Sequence, residues 1–171
     1  ASGIEDVDGV YQTRHPANAG RALAPGSTGT LWTSDDGTFW EPLYDFGSTG
    51  FRSVLAAYDL LGGDDPSASW AGRLLTSFPG VVRYSDDGGV TWTEGTGIGS
   101  LGIWEFAEAP DGTLYARAGI YLLRSDDGGA SWRVAFELVE EDWGLIPNAA
   151  IRALAVGPDG TGWAAPSGGG D

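Results

Sequence analysis

Short apolar runs alternate with clusters of glycine, aspartate and proline along the whole chain. Runs such as GVVRY, residues 80–84, and IYLLR, residues 120–124, are rich in the β-branched and aromatic residues that favour strands. No stretch keeps an apolar helical period for three turns before it meets a Gly or Pro, of which the chain has 29 and 9. The pattern therefore predicts an all-β protein built from many short strands.

A sequence of serine, two aspartates and glycine occurs three times, each time between two predicted strands. TSDDGTFW occupies residues 33–40, YSDDGGVTW residues 84–92 and RSDDGGASW residues 124–132, and the first copy is one residue shorter. Because a strand leads in and a Trp-bearing strand leads out, each copy predicts a β-hairpin with a fixed turn. We call these three segments acidic turns 1, 2 and 3 in chain order.

The chemistry of tight turns explains the composition of the acidic turns. At a corner the backbone N–H groups lack partners, and an Asp carboxylate can accept their hydrogen bonds. Glycine permits the positive φ that such a corner needs, and tryptophan can bury its ring beneath the turn. We therefore interpret the second acid of each turn as structural, and we expect the first acids, Asp35, Asp86 and Asp126, to face water.

Two further predicted strands lie between successive acidic turns. The first begins in FRSVLA, IWEFAE and IRALAV, and the second lies in GRLLTSF, GTLYARA and GTGWAAP. The repeating unit is thus four strands in roughly 40–50 residues, which is the period of a β-propeller blade. Residues 1–171 are expected to form one domain, or part of one, with about three blade equivalents.

The pattern Ser-x-Asp-x-Gly-x-Thr-Trp resembles the Asp-box, also called the BNR repeat. The residues that carry the resemblance are Ser85, Asp87, Gly89, Thr91 and Trp92 in the intact copy, Ser125, Asp127, Gly129, Ser131 and Trp132 in the next, and Ser34, Asp36 and Trp40 in the shortened first copy. The resemblance implies a β-propeller of four-stranded antiparallel blades with Asp-box turns. Asp-box propellers include sialidases, xyloglucan-cleaving glycosidases, sortilin-like receptors and the photosystem II stability factor, so the resemblance leaves function open.

The two ends of the repeat pattern predict an incomplete ring. The last unit shows two inner strands without an outer hairpin, and the first shows a hairpin with a poor inner pair. Closed propellers use about four to eight blades. With an Ala1 start and no Met, we expect a propeller that is partial or is completed by further blades of the same polypeptide, a second copy or another subunit.

Charge and composition exclude several classes of function. The chain has 24 acidic residues against nine arginines and no lysine, a formal charge of −15 that repels nucleic acid and anionic membranes. It has no cysteine and a single histidine, His15, and its acids lack the spacing of a calcium loop, so no cofactor or metal is expected. No apolar run approaches the ~20 residues that span a bilayer, so membrane insertion is not expected.

The inner strands supply the candidate ligand site. Alignment of their first residues places Arg52, Trp104 and Arg152 at equivalent positions, with Glu105 beside them. Inner strands line the central channel of a propeller, so these side chains are predicted at its mouth, where they could hold an anionic or aromatic group. The alternative is that the arginines form ion pairs with neighbouring acids and Trp104 plugs the channel.

Two functional classes remain open from the sequence. We favour a secreted or periplasmic binding or assembly module without catalysis that contacts a protein partner. The acidic and apolar loop at residues 140–146 is either part of such a contact or a solvated loop. The alternative is a carbohydrate-active fragment of the glycosidase or sialidase type. The Arg-Ile-Pro signature of sialidases is absent, because RALAP, residues 21–25, is a poor match.

Overall fold

The computed structural model describes residues 11–12, 20–26, 29–47, 53–56, 70, 72–78, 80–138, 150–157, 159 and 161–166. These residues form fourteen strands in four antiparallel sheets and include no helix, which confirms the prediction of an all-β protein. Over the same residues there is consequently no helix of the length and apolarity that crossing a membrane requires.

Sheet 1 is a four-stranded meander in the order β1-β2-β3-β4. Its strands are β1 (Tyr11–Gln12), β2 (Ala22–Pro25), β3 (Thr30–Ser34) and β4 (Glu41–Asp45). Acidic turn 1 connects β3 to β4, so this hairpin lies where the sequence predicts it.

Within the described residues the inner pair of sheet 1 is short, because β1 and β2 pair at two positions only. β1 has two residues, but β2 is a complete strand in which Leu23 and Ala24 are buried. The strand pairs on both sides, with Leu23 opposite Tyr11 of β1 and Thr33 of β3. Pro25, which has no N–H to donate, ends the strand. The apolar run of β2 is therefore only four residues long, which is too short to identify as a strand from the sequence pattern.

Sheet 2 repeats the arrangement in the order β5-β6-β7-β8. Its strands are β5 (Ser53–Ala56), β6 (Leu74–Phe78), β7 (Val81–Ser85) and β8 (Thr93–Glu94). Acidic turn 2 connects β7 to β8, and β8 is short and exposed.

Sheet 3 has the order β12-β11-β10-β9. Its strands are β9 (Glu105–Glu108), β10 (Leu114–Ala118), β11 (Tyr121–Ser125) and β12 (Arg133–Glu137). Acidic turn 3 connects β11 to β12, and the side chains of β12 are exposed along its length.

Sheet 4 contains two described strands, β13 (Ile151–Val156) and β14 (Gly162–Pro166). β13 contacts β9 and β10, so sheet 4 lies beside sheet 3. β5 contacts β1 and β2 on one side and β9 on the other. The sheets are therefore neighbours in the order of the chain, and their inner strands lie side by side.

The core lies between neighbouring sheets. One cluster joins Leu23 and Leu31 of sheet 1 to Leu74 and Phe78 of sheet 2. Leu75, the next residue of β6, belongs instead to the cluster between sheets 2 and 3. Successive side chains of a strand point to opposite faces. Because sheets cover both faces of β6, all five of its residues are buried.

The cluster between sheets 2 and 3 includes acidic turn 3. Trp132 is buried there beside Phe106, with their ring centroids 5.7 Å apart. Gly129 has a φ of +87°, and a Cβ at that position would lie 2.1 Å from Cδ2 of Leu75. Two features therefore require glycine at position 129: the positive φ of the backbone and the close approach of Leu75 from sheet 2.

Candidate functional site

Acidic turn 2 uses its second acid to hold the corner of the hairpin. Asp87 Oδ1 accepts hydrogen bonds from the N–H groups of Val90 (3.1 Å) and Thr91 (2.8 Å) and from the hydroxyl of Ser85 (2.8 Å). The Thr91 hydroxyl donates to Oδ2, and these bonds from Thr91 lower the pKa of Asp87 to about 2. Ser85 Oγ also accepts a bond from Gly89 N–H at 2.8 Å, so the turn is closed from both sides.

Acidic turn 3 has the same network. The Ser131 N–H and hydroxyl donate to Asp127 at 2.8 and 2.6 Å, and Ser125 Oγ accepts from Gly129 N–H at 2.9 Å. Partial burial acts to raise the pKa of Asp127, but the hydrogen bonds from Ser131, Ser125 and the backbone together outweigh it, so the pKa lies below its ordinary value. Trp132 Nε1 donates to the Gly129 carbonyl at 2.9 Å, which fixes the ring beneath the turn.

Acidic turn 1 has a similar network of hydrogen bonds, but its tryptophan is less buried than Trp132 of acidic turn 3. Asp36 Oδ1 accepts from the N–H groups of Phe39 (2.9 Å) and Thr38 (2.7 Å) and from the Ser34 hydroxyl (3.2 Å). These bonds, led by the one from Phe39, hold the pKa of Asp36 far below its ordinary value. Trp40 is half-buried, and Phe39 is 66% exposed.

The first acid of each turn is exposed, as expected, but it also forms an ion pair that the sequence did not indicate. The pairs are Arg21–Asp35 at 3.5 Å, Arg73–Asp86 at 2.6 Å, and Arg124 and Arg133 with Asp126, both at 2.6 Å. Arg73 reaches further, because its NH1 group donates to the carbonyls of Asp127 (3.0 Å) and Gly128 (3.2 Å). This arginine therefore joins sheet 2 to acidic turn 3.

Arg117 of β10 organises the start of two inner strands. Its Nε donates to Glu105 Oε2 at 2.6 Å, and its NH1 donates to the carbonyl of Ile151 at 3.3 Å. The Arg117 carbonyl accepts the N–H of Trp104 at 3.1 Å. Trp104 and Glu105 are thereby held next to the first residue of β13, which precedes Arg152. The sequence did not single out Arg117, because its partner Ile151 is 34 residues away.

Arg152 lies at an irregularity of β13. Ile151 pairs with Pro166 and Ala153 with Ala165, so Arg152 is an extra residue without a partner on β14. A bulge of this kind turns a side chain away from the regular alternation. Arg152 and Ala153 are accordingly both exposed.

We call Trp104, Glu105, Arg117 and Arg152 the inner-strand site. Trp104 is 51% exposed, Glu105 is partly exposed, and Arg117 is mostly covered. Arg52, the third aligned position, lies outside the described residues, as does the loop at 140–146. Three of the four predicted ligand-binding residues thus lie at the starts of two neighbouring inner strands, β9 and β13, and their binding role stays a prediction.

Glu108, the last residue of β9, is a buried acid that sequence reasoning missed. Its two carboxylate oxygens and the nearby Trp70 Nε1 are buried, and within the described residues none of the three atoms has a hydrogen-bond partner. Burial raises the pKa of Glu108 to about 8. The available signal was an acid in a strand piece, IWEFAE, whose neighbouring residues are largely apolar.

No protein-family model matches the sequence, and no curated protein matches it either. Solved structures do resemble it. A structure of YCF48 from Cyanidioschyzon merolae aligns with 99% of this chain and 50% of its own, with a TM-score of 0.66 and 18% identity. A structure of YCF48 bound to a D1 peptide aligns with the same shares, with a TM-score of 0.63 and 20% identity.

Two further structures share the architecture. An ancestral GH74 enzyme aligns with 92% of this chain and 21% of its own, with a TM-score of 0.66 and 15% identity. The extracellular domain of the one-component system BT4673 from B. thetaiotaomicron aligns with 86% of this chain and 18% of its own, with a TM-score of 0.59 and 9% identity. The chain spans half the length of YCF48 and about a fifth of the other two.

These structural similarities and the succession of antiparallel sheets show which class of fold the chain has. The chain has the fold of a β-propeller, with meandering sheets as blades and their inner strands side by side. At such identities the likeness establishes the fold alone, and function has to be argued from the site.

Proposed function

We propose that the chain is a non-catalytic binding or assembly module that contacts a protein partner through the inner-strand site. The observation that carries the proposal is the arrangement around Arg117, which holds an exposed tryptophan next to the strand that bears Arg152. An indole offers a large apolar surface, and a guanidinium offers paired donors to a carboxylate. The site fits a peptide segment that carries an aromatic and an acidic group.

The charge of the site supports this choice of partner. Glu105 is neutralised by Arg117 at 2.6 Å, so Arg152 supplies the net charge. Within the described part of the chain, Arg152 makes no ion pair of its own. Its guanidinium N–H groups can therefore donate to a ligand. A local positive charge in a protein of net charge −15 favours contact with an anionic group at this position. Arg52 belongs to this proposal by alignment.

The comparisons support a peptide partner and an extracytoplasmic location. YCF48, whose fold this chain shares, has been solved with a D1 peptide bound. The likeness to an extracellular domain supports placing this protein in the periplasm or outside the cell. The acidic turns we assign to the Asp-box type, because each second acid accepts the corner N–H groups beside a serine hydroxyl.

The proposal is tested with a short peptide that carries both groups. Isothermal titration of the pentapeptide Ala-Tyr-Ala-Asp-Ala against the wild-type chain should show binding. Arg152→Gln should weaken it by at least about tenfold, since a charge-assisted hydrogen bond contributes about 1.5–3 kcal/mol. Trp104→Ala should weaken it as well.

The matched control is Arg133→Gln, which removes an exposed arginine from β12 outside the inner-strand site. Its affinity for the peptide should equal that of the wild type. If Arg133→Gln weakens binding as much as Arg152→Gln, the arginines act only through net charge and the proposed site is wrong. Absence of binding to the wild type would contradict it equally.

A carbohydrate-active propeller is the second candidate, favoured by the likeness to a GH74 enzyme and by Glu108. A glycosidase needs one carboxyl group that stays protonated and a second one across a sugar-sized gap. Glu108 has the raised pKa of such an acid, but it is buried, and no second acid contributes to its pKa. Release of reducing ends from xyloglucan that disappears in Glu108→Gln would favour the enzyme.

A further inference from the structure

Acidic turn 1 borders a cavity of about 290 Å³ that is open to solvent, whereas the open cavity at acidic turn 3 measures about 160 Å³. The lining residues of the larger cavity are Thr33, Ser34, Asp35, Asp36, Phe39 and Glu41. This volume lies just below the range of about 300–1,000 Å³ for ligand pockets. It suits one side chain rather than a whole cofactor.

The size of the cavity follows from one position in the hairpin register. Thr33 pairs with Glu41 across the hairpin of sheet 1. The equivalent residue in sheet 3 is Arg124, opposite Arg133, and in sheet 2 it is Tyr84. Turns 3 and 2 thus have a long or bulky side chain at this position, whereas turn 1 has the small side chain of Thr33.

Thr33 also has an unsatisfied hydrogen-bonding group. The residue is 2% exposed, and its hydroxyl has no hydrogen-bond partner in the described part of the chain. A buried hydroxyl without a partner costs free energy that a ligand donor could recover. The cavity is therefore lined by a residue whose buried hydroxyl lacks a hydrogen-bond partner within the described residues.

The rim of the cavity is acidic and aromatic. Asp35 is 86% exposed and is neutralised only loosely by Arg21 at 3.5 Å, and Glu41 is exposed on β4. Phe39 presents a ring that is 66% exposed. Carboxylates beside an aromatic face attract an organic cation through charge and the ring quadrupole.

A metal ion fits the same rim less well. Among the described residues, no group of three histidine, cysteine or acidic side chains comes close enough to hold one ion. Asp36 Oδ1, moreover, is already occupied by two backbone N–H groups. The ligand is thus expected to be a single cation on an apolar stem.

The geometry points to acidic turn 1 as a binding site for a basic side chain, lysine or arginine, of a peptide partner. In this arrangement the aliphatic stem lies against Phe39, the cationic head lies between Asp35 and Glu41, and one N–H donates to Thr33 Oγ1. The site is separate from the inner-strand site and requires the opposite charge in its ligand.

The experiment compares three pentapeptides, Gly-Gly-Lys-Gly-Gly, Gly-Gly-Arg-Gly-Gly and Gly-Gly-Glu-Gly-Gly, with free butylammonium, by chemical-shift titration. Both basic peptides should bind and shift the amides of acidic turn 1, and the acidic peptide should not. Glu41→Gln and Phe39→Ala should each weaken binding about fivefold. Thr33→Val, which keeps the shape and removes the hydroxyl, should weaken it as well.

The matched control is Glu94→Gln, which removes the same charge from the exposed outer strand of sheet 2. If Glu94→Gln and Glu41→Gln weaken the basic peptides equally, general acidity explains the attraction and the site is refuted. Equal affinity for butylammonium would overturn the assignment to a peptide side chain. Glu41→Arg, which copies the charge found at acidic turn 3, should abolish binding, and persistent binding would also overturn the inference.

Discussion

Asp127 illustrates how a single side chain holds a turn in this protein. It accepts bonds from the N–H and the hydroxyl of Ser131 and from the hydroxyl of Ser125. The neighbouring Asp126 has the same charge but faces Arg124 and Arg133 at the surface. Two adjacent acids of one type thus have different functions, one in the backbone turn and one in ion pairs.

Asp127→Ala should lower the free energy of unfolding by about 1–3 kcal/mol, because it leaves turn donors without an acceptor. Chemical denaturation at pH 7 measures the change. Because folding lowers the pKa of Asp127, its carboxylate stabilises the folded state at pH values above 3.8, the ordinary pKa of an aspartate. This stabilisation is lost as the pH falls through the lower pKa of the folded state. Asp126→Ala is the control and should cost less, because exposed ion pairs contribute about 0–1 kcal/mol. Equal losses would contradict the structural assignment.

Glu108 should make stability depend on pH in the opposite direction. Burial raises its pKa from 4.5 to about 8, so the contribution of the neutral carboxyl is complete below pH 4.5 and is lost as pH rises through about 8. One proton corresponds to at most about 1.4 kcal/mol per pH unit. Thermal unfolding of Glu108→Gln between pH 5 and 8 should show a flatter profile than that of the wild type.

The control for this measurement is the exposed Glu94→Gln, which removes a charge without removing a buried acid. Its profile should follow that of the wild type. A Glu108→Gln profile that falls as steeply as the wild-type profile would show that the neutral carboxyl does not cause the effect.

Among the elements, the seam between sheets 2 and 3 is held by polar contacts as well as by apolar ones. Arg73 makes two bonds to Asp86, at 2.6 and 3.0 Å, lies 4.2 Å from the centre of the Tyr84 ring, and donates to carbonyls of acidic turn 3. Further along the seam, Ser77 Oγ donates to the Ile103 carbonyl at 3.3 Å. Thr96 exchanges two backbone bonds with acidic turn 3, each at 2.9 Å.

Arg73→Lys should reduce stability by about 1–2 kcal/mol, although it conserves the charge. An ammonium cannot provide the planar set of donors that reaches Asp86 and two carbonyls together, and it stacks less well on Tyr84. Arg133→Lys, at an arginine that is 58% exposed, should change stability by less than about 0.5 kcal/mol. Urea denaturation of the two variants tests this, and equal effects would show that charge alone holds the seam.

For the molecule as a whole, the sequence was sufficient where structure is local. Hairpins at the acidic turns were predictable because the donors and acceptors of a turn lie within a few residues of one another. β2 was missed because its burial depends on two neighbouring strands. The bond from Arg117 to the Ile151 carbonyl and the proximity of Glu108 to Trp70 were not predictable, because each joins residues more than 30 positions apart. The binding roles of Arg52, Trp104 and Arg152 stay predictions.

Arg117 and Ser77 occupy equivalent positions on β10 and β6. Arg117 donates to the carbonyl of Ile151, which begins β13, and Ser77 donates to the carbonyl of Ile103, two residues before β9. Pairing within every sheet joins strands that are consecutive in the chain, so each sheet can form early from local contacts. Contacts between neighbouring sheets then determine how cooperatively the sheets fold together, as in a one-dimensional array of coupled units. Folding cooperativity in this protein is therefore expected to depend on these side-chain-to-carbonyl bonds together with the apolar clusters between sheets. Serine and arginine at the equivalent position reach the aligned isoleucine carbonyl with side chains of different length.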